Sequence, residues 1–288
     1  MMANDVGSGD LRGLVERPGA NDVPYEDPYL PGRPLLLRAA RPHRYAPDTP
    51  VLFVHHGVRR NGGDYRDYWL PLVDAAQLLV IVPEFSSSAF PEAAWYNFGN
   101  RVDEDGRPKP RTEWTYGVPE RVFAALRQQG VTSARRYGSF GHSAGGQFVH
   151  RMVSLGFRDR ISLAATANAG TYAMPDRGVA FPYGLGDTDV DDPALRALLA
   201  FRLMIFAGTA DIDTASEHFP RNEQAMRQGP TRYARAHAYL AAAQEAARAR
   251  NIACNWTITE VPDVGHDGEK MSAAAAPILA AALHEAER

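Results

Sequence analysis

Residues 137–151 constrain the fold of this chain more than any other stretch. A short aromatic-bearing run leads into the pentapeptide GHSAG at residues 141–145, and an amphipathic segment follows it. This order predicts a strand, a sharp turn with Ser143 at its apex, and a helix, which is the layout of a nucleophile elbow. The flanking glycines leave room for a strained turn. A glycine-rich turn with an ordinary surface serine would look the same, so the prediction depends on the rest of the chain.

Strand-like and helix-like segments alternate along most of the sequence. Apolar runs predict strands at residues 34–42, 51–55, 78–83, 137–140, 162–170, 202–207 and 254–261. Apolar residues at helical spacing predict helices at residues 64–76, 118–129, 192–199, 231–250 and 269–287. This alternation predicts an α/β fold with a mostly parallel central sheet and helices on both faces, where ligands sit at the carboxyl ends of the strands.

The length of the chain and its apolar content favour one domain. With 288 residues, 45% of them hydrophobic, the chain can bury a substantial single core. We expect one domain over residues 31–288, with small lid-like insertions at residues 171–200 and 214–230. Residues 1–30 are polar or proline-rich and predict a loosely ordered arm.

Charge and cysteine content exclude several classes of partner. The chain has 31 Lys and Arg against 34 Asp and Glu and no basic tract, so no nucleic-acid partner is expected. One cysteine, Cys254, cannot form a disulfide framework or a cysteine metal site. We expect no cofactor and no metal. The acidic run at residues 187–192 suits the start of a helix better than a divalent cation, although its oxygen ligands leave that alternative open.

The N-terminus and the apolar runs bear on location. No run is long enough to span a bilayer, and residues 1–20 contain no apolar leader segment. The sequence as given therefore predicts a cytoplasmic protein. A chain that began after a removed leader would instead be secreted or periplasmic. The sequence leaves a homo-oligomer open.

Two further loops supply the partners that a nucleophilic serine needs. Asp211 and Asp213 follow the strand predicted at 202–207, and His266 follows the strand at 254–261. A hydroxyl attacks at neutral pH only with a base, and the base needs an orienting carboxylate. The chain order Ser143, Asp211, His266 is the order that the elbow architecture requires. Asp213 remains an alternative acid, although Asp211 lies closer to the strand end.

An oxyanion site needs two N–H donors close to the serine. Ala144, at the start of the predicted helix, supplies one. The loop after the strand at 51–55 supplies the second, from Val58 or, failing that, from Gly57. His142, next to the serine, is predicted to lie in the pocket rather than to act as the base.

Aromatic residues in the long connections are candidates for substrate contact. Tyr172 follows a strand end beside the nucleophile, and Trp95 lies in the irregular connection of residues 84–116. Together with Tyr96, Phe181 and Tyr183, they would form an aromatic-lined cleft for acyl or oligoester chains. The alternative is that these rings only pack the loops onto the domain.

These motifs together resemble the α/β-hydrolase superfamily. The matching segments are GHSAGG at 141–146, HG at 56–57, GTAD at 208–211 and VGHDG at 264–268. Two longer segments, residues 56–69 and 227–235, look like the bacterial branch described as poly(3-hydroxybutyrate) depolymerase-like. The resemblance covers residues 33–286. It implies Ser143, Asp211 and His266 as the triad and supports the N–H groups of Val58 and Ala144 as oxyanion donors.

The resemblance implies hydrolysis of carboxylic esters without a cofactor. We therefore expect a serine carboxylic ester hydrolase that acts on small acyl esters or polyhydroxyalkanoate-like oligoesters through an acyl-enzyme intermediate. A serine peptidase of the same fold would use the same triad. A non-catalytic binding protein of this fold would usually have lost a triad member, and here all three residue types are present.

Overall fold

The fold is built on one twisted sheet, described here from a computed structural model that covers residues 9–286. Its eight strands are β1 (Gly19–Tyr25), β2 (Leu35–Arg41), β3 (Val51–His55), β4 (Leu79–Glu84), β5 (Tyr137–His142), β6 (Ile161–Ala167), β7 (Leu203–Gly208) and β8 (Trp256–Val261). They lie in the order β1-β2-β4-β3-β5-β6-β7-β8. β1 pairs antiparallel with β2, β2 pairs antiparallel with β4, and all later pairs are parallel. The predicted mostly parallel sheet is confirmed.

Helices cover both faces of this sheet. In the described chain they are α1 (Gly62–Trp69), α2 (Val73–Ala76), α3 (Glu92–Trp95), α4 (Val118–Gln128), α5 (Ala144–Ser154), α6 (Asp192–Leu199), α7 (Glu223–Gln228), α8 (Arg232–Arg248) and α9 (Gly268–Ala286). One apolar core, with Phe148 of α5 and Tyr239 of α8, fills one face. A second core, with Trp69 of α1 and Leu279 of α9, fills the other. β3 and β5 are buried along their whole length because both faces are covered.

Most predicted elements are present with shifted ends. The helix predicted at 64–76 is two helices, α1 and α2, separated at Leu70-Pro71-Leu72, because proline cannot continue the backbone hydrogen bonding of a helix. The predicted end of the last helix at Glu287 lies outside the described residues.

The N-terminal segment corrects the sequence prediction. Residues 1–8 lie outside the described part of the chain, but residues 9–30 do not form a loosely ordered arm. Leu11 and Leu14, in a short 3-10 helix, are completely buried. β1 pairs with β2 from Gly19 to Tyr25. Its alternate residues face the core, and Pro24 is tolerated because an edge strand has free N–H positions.

Within residues 9–286, no helix combines the length and the apolar character needed to cross a membrane.

Candidate active site

Ser143 lies at the sharp turn between β5 and α5. Its backbone adopts φ 58° and ψ −118°, a conformation that side chains rarely adopt without strain. A Cβ atom at Gly141 would lie 2.2 Å from the carbonyl oxygen of Gly145, and a Cβ atom at Gly145 would lie 2.0 Å from that of His55. Glycine is therefore the residue that both positions accept. The turn brings the Ser143 hydroxyl to the carboxyl edge of the sheet.

His266 and Asp211 meet Ser143 at this edge. The loop after β8 carries His266, whose Nε2 lies 2.9 Å from Ser143 Oγ. The loop after β7 carries Asp211, whose Oδ2 lies 2.8 Å from His266 Nδ1. Asp211 is 1% exposed, whereas the imidazole is partly open to solvent. Three side chains from distant parts of the sequence thus form one continuous hydrogen-bonded row.

The two acids left open by the sequence have different surroundings. Asp213 is exposed, and its Oδ1 accepts a hydrogen bond from the N–H of Ala215. It lines the same cleft as Ser143, whereas the oxygen that lies 2.8 Å from His266 Nδ1 belongs to Asp211. The geometry therefore favours Asp211 as the partner of the imidazole.

Arg232 holds the other oxygen of the same acid. It is the first residue of α8 and is 2% exposed. Its Nη1 lies 3.4 Å from Asp211 Oδ1, and the N–H of Tyr233 donates to the Asp211 carbonyl at 3.3 Å. Burial lowers the pKa of Arg232, while the nearby Asp211 opposes that shift. Sequence reasoning did not assign Arg232 to the site, although it lies in the segment 227–235 quoted for the resemblance.

The expected oxyanion donors border the serine. Ala144 begins α5, so its N–H has no acceptor within the helix. Val58 is 46% exposed and lines the cleft together with Gly57 and Ser143. Val58 and Gly57 both stay candidates for the second donor.

Tyr65 and His142 form a second polar pair beside the row. The Tyr65 hydroxyl lies 2.8 Å from His142 Nδ1, and the ring of His142 lies 4.8 Å from the ring of His266. Burial holds the pKa of His142 well below its ordinary value, and the neighbouring His266 and Arg232 add to this shift. His142 is therefore a neutral neighbour of the triad histidine. Sequence reasoning did not assign Tyr65 to the site, although it lies in the segment 56–69 quoted for the resemblance.

A cleft of about 330 Å³ opens above Ser143. Most of its lining residues are polar types and Val58 is its one aliphatic side chain, although carbon atoms form slightly more of the exposed lining than nitrogen and oxygen atoms do. The lining residues are Gly57, Val58, Arg59, Asn61, Tyr65, Tyr68, His142, Ser143, Asp213, Ser216, His218, Arg232, His266 and Gly268. His142 thus lies where the sequence predicted it. The insertion at 214–230 contributes Ser216 and His218, whereas residues 171–200 contribute no lining residue.

The aromatic substrate contacts predicted from sequence are corrected. Tyr172 is completely buried, and its ring stacks on Tyr239 at 4.5 Å. Trp95 lies against the guanidinium of Arg33, 3.5 Å from its ring centroid, and against the ammonium of Lys109 at 4.4 Å. Neither Tyr172 nor Trp95 lines the cleft. Both rings pack loops onto the domain, which is the alternative that the sequence left open.

The acidic run at residues 187–192 is engaged by the protein itself. Asp191 caps α6 by accepting from the N–H of Ala194 at 2.8 Å. Asp192 pairs with Arg196 and Arg250. In the described part of the chain, no group of three or more His, Cys, Asp or Glu side chains is arranged to hold a metal ion.

Comparison with known proteins identifies close structural relatives. No protein-family model and no curated protein sequence matched the chain. Among solved structures, it is similar to the poly(aspartic acid) hydrolase-1 of Sphingomonas sp. KT-1, with 38% identity, a TM-score of 0.87, and coverage of 91% of this chain and 98% of that one. It is also similar to LpqC, a poly(3-hydroxybutyrate) depolymerase from Bordetella parapertussis, with 38% identity, a TM-score of 0.89 and 96% coverage of both chains. The fluorophosphonate-binding serine hydrolase F of Staphylococcus aureus shares the fold at 15% identity and a TM-score of 0.56, over 92% of this chain and 99% of that one.

Proposed function

The chain belongs to the α/β-hydrolase superfamily, among its poly(3-hydroxybutyrate) depolymerase-like members, and from this premise we propose that it is a serine hydrolase that cleaves carboxylic esters through an acyl-enzyme intermediate. The observation that carries the proposal is the row from Ser143 Oγ through His266 to Asp211, with distances of 2.9 and 2.8 Å. Such a row supplies a nucleophile, a base and an orienting carboxylate.

Acylation follows from these positions. Ser143 Oγ attacks the ester carbonyl while His266 Nε2 accepts the hydroxyl proton. Asp211 holds the imidazole through Nδ1 and stabilises its positive charge. The N–H groups of Ala144 and Val58 stabilise the oxyanion of the tetrahedral intermediate. The intermediate collapses as His266 gives its proton to the departing alkoxide, which leaves an ester between Ser143 and the acyl group.

Deacylation repeats the sequence with water. His266 takes a proton from water as the water oxygen attacks the acyl carbonyl, and it returns a proton to Ser143 Oγ as the acid leaves. All proton transfers use the same imidazole.

The cleft lining narrows the substrate class. A long alkyl chain needs an apolar channel, whereas this lining carries two arginines, three histidines and two tyrosines and one aliphatic residue. We infer that the substrates are short acyl esters or oligoesters of 3-hydroxyalkanoates, whose closely spaced carbonyls can accept hydrogen bonds from these groups. The similarity to a poly(3-hydroxybutyrate) depolymerase supports the second class.

One observation favours a second candidate, the hydrolysis of amide bonds. A solved structure that is 38% identical is named as a poly(aspartic acid) hydrolase, and the units of poly(aspartic acid) are joined by amides. The same row could cleave an amide, with His266 protonating an amine. A purely binding role is disfavoured because all three groups lie within hydrogen-bond distance.

A substrate panel with an active-site probe tests the proposal. Turnover of p-nitrophenyl acyl esters is compared with that of aminoacyl anilides, and a fluorophosphonate is mapped to its labelled residue by peptide mass spectrometry. We expect ester cleavage, labelling at Ser143 and no anilide cleavage. Ser143→Ala should lower turnover by roughly 10⁶-fold while the circular dichroism spectrum stays unchanged. Near-full activity in this variant, or labelling at another serine, would contradict the proposal.

A further inference from the structure

A buried positive charge lies directly behind the candidate acid. Arg232 begins α8 after Thr231, which caps the helix by accepting from the N–H of Ala234 at 3.1 Å. Its guanidinium carbon lies 5.1 Å from the ring centroid of Phe219. At 2% exposure, this charge is largely removed from solvent. Its interaction with a neighbouring carboxylate is therefore screened much less than that of a surface pair.

Asp211 divides its two oxygens between Arg232 and His266. Oδ2 faces His266 Nδ1 at 2.8 Å, and Oδ1 faces Arg232 Nη1 at 3.4 Å. The Asp211 carbonyl also accepts from the N–H of Tyr233, so the acid lies at the positive end of α8. The carboxylate thus stabilises a permanent cation as well as any charge that develops on the imidazole.

We propose that Arg232 is a positioning residue that acts through Asp211: it orients the carboxylate toward His266, and its buried charge acts on the imidazole through that carboxylate. This inference rests on the proposed function. A positive charge disfavours the cationic form of a nearby base.

The other groups near the imidazole do not supply a comparable buried charge. His142 is neutral because burial lowers its pKa. Asp213 is exposed, and Asp267 pairs with Lys270 on the surface. The other groups fall into two sets. The neutral hydroxyls are those of Ser143, Tyr65 and Tyr68. The charged or titratable groups at the cleft mouth and on the adjoining loops are Arg59, His218, Asp263 and Glu269.

Charge and hydrogen bonding at Arg232 can be separated by two substitutions. Arg232→Gln keeps a donor but removes the charge, and Arg232→Lys keeps the charge but removes the guanidinium. Arg235→Gln is the matched control, because Arg235 is also a buried arginine of α8 but bonds to the carbonyls of Gly229, Gly170 and Pro220.

The readout is the pH dependence of kcat/KM for a p-nitrophenyl ester, measured from pH 4.5 to 9. We expect the acid limb of Arg232→Gln to move up by about 0.5 to 1 pH unit, so that activity relative to the plateau falls roughly 3- to 10-fold on that limb. Arg232→Lys and Arg235→Gln should keep the wild-type limb. A role in packing alone would lower stability without moving the limb.

The outcomes distinguish this inference from the proposed function. A wild-type protein without ester turnover or fluorophosphonate labelling would overturn the proposed function. An active wild type whose acid limb coincides with that of Arg232→Gln would overturn the role of Arg232 alone. If circular dichroism shows that Arg232→Gln is unfolded, Arg232→Met replaces it as the neutral variant. If both neutral variants fail to fold while Arg232→Lys folds, the charge of Arg232 is needed for folding rather than for catalysis. That result would overturn the inference.

Discussion

Gly145→Ala is predicted to displace the nucleophile. The added Cβ would lie 2.0 Å from the carbonyl oxygen of His55 and 2.7 Å from that of His56. Both neighbours are backbone atoms and cannot rotate away. Since a carbon needs about 3.2 Å from an oxygen, the start of α5 must retreat from β3 by about 1.2 Å, and Ser143 directly precedes this helix. A displacement of this size costs about 10²-fold in rate, and overpacking costs about 1–3 kcal/mol in the free energy of unfolding.

The assay compares kcat/KM for p-nitrophenyl butyrate and the urea unfolding of Gly145→Ala and a control. Gly63→Ala is the control, because a Cβ there meets only the flexible guanidinium of Arg38, at 3.6 Å or more, within helix α1. Gly63→Ala should keep wild-type activity. Its free energy of unfolding should rise by up to about 1 kcal/mol, because alanine favours the helical conformation more than glycine does. A Gly145→Ala protein with kcat/KM within threefold of wild type would refute the reasoning.

Three further predictions follow from the site and its surroundings. Asp211→Asn should lower kcat by about 10⁴-fold at pH 7, because the carboxylate that orients His266 is lost. Asp213→Asn should change kcat less than tenfold. Equal losses in p-nitrophenyl butyrate hydrolysis would contradict the assignment of Asp211 as the acid. Burial lowers the pKa of His55 and of His56 to about 3, so the unfolded chain binds more protons below about pH 6.5. The contribution of the two neutral histidines to stability is fully present above about pH 6.5 and is lost as the pH falls toward 3. At pH 5 the free energy of unfolding should be lower by about 4 kcal/mol for the two histidines together. A urea unfolding midpoint that is unchanged between pH 7.5 and pH 5 would contradict this predicted loss of stability. The cleft has a volume of about 330 Å³ and one aliphatic side chain, Val58, which predicts at least tenfold higher kcat/KM for p-nitrophenyl butyrate than for the laurate ester. A preference for laurate in the same assay would point to an apolar channel.

The sequence predicted the sheet and the elbow because both leave local patterns. Buried parallel strands need continuous apolar runs, and the turn at Ser143 needs glycine at 141 and 145. The acid and the histidine could be predicted because each follows a strand, and the carboxyl ends of parallel strands meet at one edge of the sheet. The strand β1 was missed because Pro24 obscured an alternating pattern, in which Asn21, Val23 and Tyr25 are buried.

Side-chain direction in the loops could not be predicted. Tyr172 and Trp95 lie in the connections where the sequence placed them, but whether a ring faces a cleft or a core depends on packing against residues far away in the chain. Tyr172 turns to Tyr239 and His150, and Trp95 turns to Arg33. No local spacing encodes these contacts.

The sequence by itself determined the strand order along the chain, the strained serine and the succession of serine, acid and histidine, since these depend on backbone geometry and hydrophobic periodicity. The tertiary structure alone decided that Asp211 rather than Asp213 faces His266, that Arg232 lies behind Asp211, and that Val58 is the one aliphatic side chain of the cleft. These features arise where segments more than twenty residues apart come into contact, and the free energy of such contacts depends on distance and burial that only the folded chain defines.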